Sequence, residues 1–132
     1  MRSEPPHNFG KRIISIPTEE WKLSYLAGII DGEGTVSLER SPNGRFLVCP
    51  TVQIANSSPA LFDWIEREFK GCRRHKRGRT YKKPMFQWRV RRTRDVLALL
   101  QAVLPFLTIK KENALIVITS CEKRLRERGE EF

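Results

Sequence analysis

This chain of 132 residues is poor in the residues that build covalent or metal-held frameworks. Its three cysteines, Cys49, Cys72 and Cys121, are odd in number and far apart, and they match neither a zinc-ligand spacing nor a disulfide framework. They read as reduced thiols. The two histidines, His7 and His75, stand alone. No apolar run reaches the length of a membrane span, and the N-terminus has no signal-peptide core. The expectation is an intracellular, soluble protein with no membrane partner. Acids are scarce too: 15 against 25 lysines and arginines, a net charge of +10. Such an excess points to a polyanionic partner, most often nucleic acid, although ribosome-like or membrane-surface binding would look similar. The length suits one domain with its own core.

The most informative stretch is Leu26-Ala27-Gly28-Ile29-Ile30-Asp31-Gly32-Glu33-Gly34. Together with Trp21, Leu23 and Tyr25 it is too apolar for one wet face, so it reads as a helix buried on more than one side. Gly28 and Gly32 lie one turn apart. With Ala27 they leave a bare patch where the backbone can press against another helix. Asp31 and Glu33 fall at the end of that helix, where partial negative charge disfavours carboxylates unless a cation compensates. A divalent metal would satisfy the acids and the orphan carbonyls together, whereas a solvated helix end with a glycine cap explains the same residues without one.

Residues 1–17 read as an irregular lead-in and residues 18–132 as one domain. Thr18, after Pro17, is placed as an N-cap for a helix running to Ile30 or Asp31. Residues 35–40 alternate as a strand, Ser41-Pro42-Asn43-Gly44 is a turn, and residues 45–55 return as a second strand in which Pro50 argues for an edge or a bulge. Ser58-Pro59 opens a helix with an apolar stripe of Leu61, Trp64, Ile65 and Phe69, closed by Gly71. A short basic strand at 72–76, a turn at Arg77-Gly78-Arg79, and a longer strand at 83–92 follow. Thr93 then caps a leucine-rich helix that Pro105 interrupts, and a last helix starts at Lys110 or Lys111. Two hairpins separated by helices predict an α+β fold of order α-β-β-α-β-β-α, a four-stranded antiparallel sheet with helices on one face.

About half of the 25 basic residues fall between Arg67 and Arg94, interleaved with Phe86, Trp88 and Val90 at strand spacing. The alternation assigns the apolar residues to the helices and leaves Ser37, Glu39, Arg45, Gln53, Arg73, His75, Gln87, Arg89 and Arg91 on the opposite face. Arg77, Arg79 and Lys82 complete the expected DNA-binding set. Arg and Gln read base edges in a major groove that an antiparallel ribbon fits, and other cations contact phosphates. RNA recognition favours exposed stacking aromatics, and Tyr81 is the one obvious candidate, so DNA leads RNA.

The nine-residue stretch resembles the LAGLIDADG motif of homing endonucleases. It agrees at Leu26, Ala27, Gly28, Ile30, Asp31 and Gly34, with Ile29 and Glu33 as conservative replacements and Gly32 in place of an alanine. A second similarity covers Leu104 to Ala114, a Pro-Phe-Leu segment followed by lysines, in which Lys110 matches a lysine near the scissile phosphate. The motif occurs once. The resemblance implies the homing-endonuclease saddle over DNA and a site-specific, double-strand endonuclease of the intron-homing type. It implies a homodimer joined through Leu26, Ala27, Gly28, Ile29 and Gly32, and a long, near-palindromic target. It further implies Mg²⁺, replaceable by Mn²⁺ or Ca²⁺ for binding, held by Glu33 and the Gly32 carbonyl. Lys110 and Asn56 are the implied catalytic neighbours, Gln53 lies near, and Asp31 has a supporting role. Two other activities use the same scaffold: an intron maturase that binds RNA, and a DNA-binding regulator that does not cut.

Overall fold

Residues 13–40, 48–80 and 83–129 are described by a computed structural model. The first helix, α1 (Glu20–Glu33), runs past the Ile30 or Asp31 end that its apolar pattern indicates, so Asp31 and Glu33 lie within its last turn. Thr18 is not its cap. Glu19 holds that position in an extended conformation with no side-chain capping bond. Gly34 ends the helix, its N–H donating to the Ile30 carbonyl, and begins β1 (Gly34–Arg40) without a loop between. A methyl group at Gly34 would lie 2.8 Å from the Ile30 Cα and 3.2 Å from the Gln53 carbonyl. The close approach of helix end and neighbouring strand therefore demands glycine here.

β1 pairs antiparallel with β2 (Val48–Asn56), β2 with β4 (Lys83–Val90), and β4 with β3 (His75–Thr80), giving the order β1-β2-β4-β3. β2 is an inner strand, yet Pro50 is tolerated in it. Pairing with β4 stops at Val52↔Val90, whereas pairing with β1 continues through Leu38↔Pro50, so the proline sits where β2 has one neighbour. The second hairpin departs from expectation. β3 starts at His75 rather than Cys72 and passes through Arg77-Gly78-Arg79, where a turn was expected. Gly78 belongs to a bulge between Lys76 and Gly78, with φ +111°.

Between the hairpins lies α2 (Pro59–Phe69). Ser58 Oγ accepts from the Leu61 N–H at 3.4 Å and Pro59 fills the first turn. The buried stripe is Phe62, Ile65 and Phe69, with Leu61 and Trp64 only partly covered. Lys70 is the C-cap and Gly71 follows at φ +76°; a Cβ there would meet the Ile14 backbone at 2.7 Å. That contact brings the lead-in alongside, and the Ser15 N–H donates to the Phe69 carbonyl. α3 (Thr93–Val103) has Arg92, not Thr93, at its cap, and a 3₁₀ turn (Leu104–Phe106) leads to α4 (Lys111–Glu127).

Period-two alternation sends Val36, Val52, Ile54, Trp88 and Val90 into one core with Leu26, Ile30 and the leucines of α3. All four described α-helices cover that one face. The other face is left to polar side chains. Among the described residues no helix is long and apolar enough to cross a membrane.

Candidate nuclease centre and DNA face

The site forms where α1, β1 and β2 end or begin together. Glu33 is exposed, and Asn56 Nδ2 donates to both its carboxylate oxygens, at 2.5 and 2.7 Å. The Asn56 side-chain carbonyl in turn accepts from the Ser58 N–H at 2.8 Å, which ties its orientation to the start of α2. Among the described residues no cation pairs with Glu33, so its charge faces outward, held by a neutral amide.

Asp31 has the opposite environment. Its carboxylate accepts three backbone N–H groups from the segment after the 3₁₀ turn: Thr108 at 2.7 Å, Ile109 at 3.1 Å and Lys110 at 3.0 Å. Burial alone would raise its pKa. The three N–H donors and the nearby Lys110 charge outweigh that and hold it below the ordinary carboxylate value. Lys110 Nζ reaches back to the Ile30 and Asp31 carbonyls at 2.9 and 2.7 Å. The cation demanded by acids at a helix C-terminus is thus Lys110, arriving from across the fold to take up two of the orphan carbonyls. The Pro-Phe-Leu-lysine segment and the motif helix are one structural unit.

A metal at Glu33 fits this donor set. Mg²⁺ is commonly held by one or two carboxylates, with phosphates and waters completing its shell. Glu33 supplies one outward carboxylate at a helix end rich in carbonyls. Among the described residues there is no group of three or more His, Cys, Asp and Glu side chains that could form a closed cage.

The five residues expected at a helix interface divide. Gly28 and Gly32 are exposed, and a methyl group at either would meet nothing within 4 Å. Leu26 and Ala27 are fully buried inside the chain itself, and Ile29 packs partly against the core. The open stripe consists instead of Trp21, Ser24, Tyr25, Gly28 and Gly32, at helical spacing. Trp21 and Tyr25 are 59% and 52% exposed and rest on Trp64, the Tyr25 and Trp64 ring centroids 4.8 Å apart at 86°. An exposed aromatic pair continued by two bare glycines was not read from the sequence. The signal was available, because Trp21 and Tyr25 fall on the glycine side of the helix.

The polar sheet face keeps Ser37, Glu39, Gln53, His75, Gln87 and Arg89, and the register aligns Gln53 with Arg89 and His75 with Gln87. Arg73 lies in the loop ahead of β3 and Arg91 one residue past β4, both exposed. Arg77 falls in the bulge and Arg79 pairs with Pro84. Arg45 and Lys82 lie outside the described residues. One member of the basic block has a structural role: Arg74 bonds Glu66 and Asp63 on α2 and lies 5.8 Å from the ring centroids of both Phe62 and Phe86.

No protein-family model and no curated protein matches the sequence. Solved structures match the fold. The homing endonuclease I-CvuI, in complex with its target in the presence of calcium, aligns with a TM-score of 0.65 at 22% identity, over 79% of this chain and 68% of that one. The archaeal intron-encoded homing endonuclease I-Vdi141I, complexed with DNA, aligns with a TM-score of 0.65 at 16% identity, over 81% and 70%. The LAGLIDADG meganuclease I-AabMI, bound to uncleaved DNA, aligns at 0.64 and 21% identity over 80% of this chain, which spans 37% of that protein. Helix, hairpin, helix, hairpin and closing helices follow one another here as expected, with Asp31 and Glu33 at the end of the first: the chain has the LAGLIDADG homing-endonuclease fold.

Proposed function

We propose that the chain is a site-specific DNA endonuclease that works as a homodimer and hydrolyses phosphodiesters with a divalent metal, Mg²⁺ foremost. The observation that carries this reading is the placement of Glu33. It is an outward carboxylate fixed by Asn56, at the end of an open helix stripe and beside a polar, basic sheet face. The DNA-bound structures that share the fold support it.

Glu33 and the Gly32 carbonyl would hold the metal. Bound there, it supplies Lewis-acid stabilisation of the phosphate and a water of lowered pKa. The chain's own residues do the rest. Asn56 holds the Glu33 carboxylate in one orientation, and such outer partners tune the group they orient. Asp31 and Lys110 fix the helix end that carries Glu33. Because its ammonium is taken up by two carbonyls, Lys110 acts first as a positioning residue. Gln53, Gln87 and Arg89 face the groove, and His75, Arg73 and Arg91 supply cationic or polar contacts around it.

One motif gives one cutting centre, and a double-strand cut needs two. Packing α1 of one protomer on α1 of a second, glycine stripe to glycine stripe, would place two Glu33 residues about a two-fold axis. Trp21 and Tyr25 would close the contact at its far end. The test is incubation of the purified chain with a double-stranded DNA library in Mg²⁺, followed by sequencing of the cut ends. Cuts clustered at one nearly palindromic sequence are expected. Selective binding to a structured intron RNA with no DNA cut would support a maturase instead, and binding of one DNA sequence with no cut a regulator.

A further inference from the structure

On the polar sheet face the Gln53 side-chain oxygen accepts two hydrogen bonds, from Gln87 Nε2 at 2.7 Å and from Arg89 Nε at 3.2 Å. The three residues occupy adjacent strands: Gln53 is the register partner of Arg89, and Gln87 pairs with Ala55 on one side and His75 on the other. Gln87 is 7% exposed, whereas Gln53 and Arg89 are partly open to solvent. Chemistry fixes the direction of this cluster. Arginine has no acceptor, so the Gln53 atom facing Arg89 Nε is the oxygen. Gln87, meeting that same oxygen, must present its NH₂ group.

The consequence concerns what remains free. The two donors fill both lone pairs of the Gln53 oxygen. What Gln53 and Arg89 can still offer to a groove is the Gln53 NH₂ and the outer guanidinium nitrogens of Arg89, which are donors only. A glutamine reads adenine by accepting from N6 while donating to N7, and that mode needs a free oxygen. Guanine presents two acceptors, O6 and N7, and is the base that a donor-only pair satisfies. Cytosine and adenine each present a donor that Gln53 and Arg89 cannot meet.

We propose that Gln53 and Arg89 form a preset, donor-only reader that selects guanine at one base pair of each half-site, with the buried Gln87 as the residue that orients Gln53. The inference rests on the reading of the chain as a DNA-binding endonuclease and adds the base it selects at this place.

The test is selection of binding sites from random double-stranded DNA, in calcium, with the full chain and three variants. The wild-type protein is expected to enrich guanine at one position per half-site, with a preference over adenine of about ten-fold or more in Kd. Arg89→Ala should lose that guanine while keeping the remaining positions. Gln87→Leu, close in size but apolar, frees one lone pair of Gln53 and should let adenine in at that same position, cutting the preference to about two-fold. Arg89→Lys, at a partly exposed site, retains a cation but not the fork, and guards against a Gln87 variant that fails to fold. A site without guanine responsive to Arg89, or one whose base preference is unmoved by Gln87→Leu, overturns the reader and leaves the nuclease reading standing. Enrichment of no DNA sequence overturns both.

Discussion

Asp31 and Lys110 grip each other twice: the Asp31 carboxylate accepts the Lys110 backbone N–H at 3.0 Å, and the Lys110 ammonium donates to the Asp31 carbonyl at 2.7 Å. This closes the end of α1 against the segment that leads into α4. It also gives the two acids of the motif separate work. Asp31 faces inward to hold the helix end, and Glu33 faces outward with its charge available.

Removal of the inward acid should therefore cost stability before it costs chemistry. Asp31→Ala leaves three backbone N–H groups without their acceptor, and a loss of about 2–4 kcal/mol in urea unfolding is expected. Glu33→Gln, at an exposed position, should change stability by less than about 0.5 kcal/mol. Equal losses from the two would show that the division of labour is wrong.

The same clamp sets a pH dependence. The pKa of Asp31 is lower in the folded chain than the ordinary value. Its contribution is present above the ordinary carboxylate value and drains away as pH falls from there through the lowered value of the folded chain. Unfolding midpoints of wild type and Asp31→Asn should thus differ most at neutral pH and draw together as pH falls below the ordinary carboxylate value. A gap that stays constant or widens on acidification would contradict this.

Gly28 and Gly32 are open within the chain, so bulk there should affect the proposed association and not folding. Gly28→Leu removes a mid-helix glycine, and the protomer should be as stable as wild type or firmer by about 0.5–1 kcal/mol. The proposed dimer should be lost, as read by light scattering at micromolar concentration. A Gly28→Leu chain that still dimerises like wild type would place the two-fold contact elsewhere.

The basic block should separate into two kinds of cation. Arg74→Ala breaks charged hydrogen bonds to Glu66 and Asp63 and should lower stability by about 1.5–3 kcal/mol with little change in the salt dependence of DNA binding. Arg91→Ala should leave stability alone and lower the slope of log K against log salt by about 1. Interchanged results would mean that the exposed cations do not face DNA.

These roles were legible in the sequence to different depths, for physical reasons. Strand faces were readable because Val52, Ile54, Trp88 and Val90 repeat with period two, and the structure buries all four. The helix end was readable as a problem: acids where the dipole opposes them, with no cation nearby in sequence. Its solution was not, since the Asp31 donors are backbone N–H groups 77 to 79 residues away. The burial of Leu26 and Ala27 within the chain was not legible, because two glycines one turn apart define a stripe but not which neighbours flank it. Gly78 was misread as a turn, since a bulge and a turn both ask for positive φ. The structural role of Arg74 was hidden in a run of like residues, where only tertiary contact distinguishes one arginine from the next.

The most direct test is cleavage of the selected DNA site in Mg²⁺ by wild type and Glu33→Gln, with binding of both matched in Ca²⁺. Wild type is expected to cut both strands. Glu33→Gln should bind with unchanged affinity and cut about three orders of magnitude more slowly, and Asn56→Ala should fall between them, about 10- to 100-fold down. Undiminished cleavage by Glu33→Gln would contradict the central claim that this outward carboxylate is the metal-holding group of a nuclease.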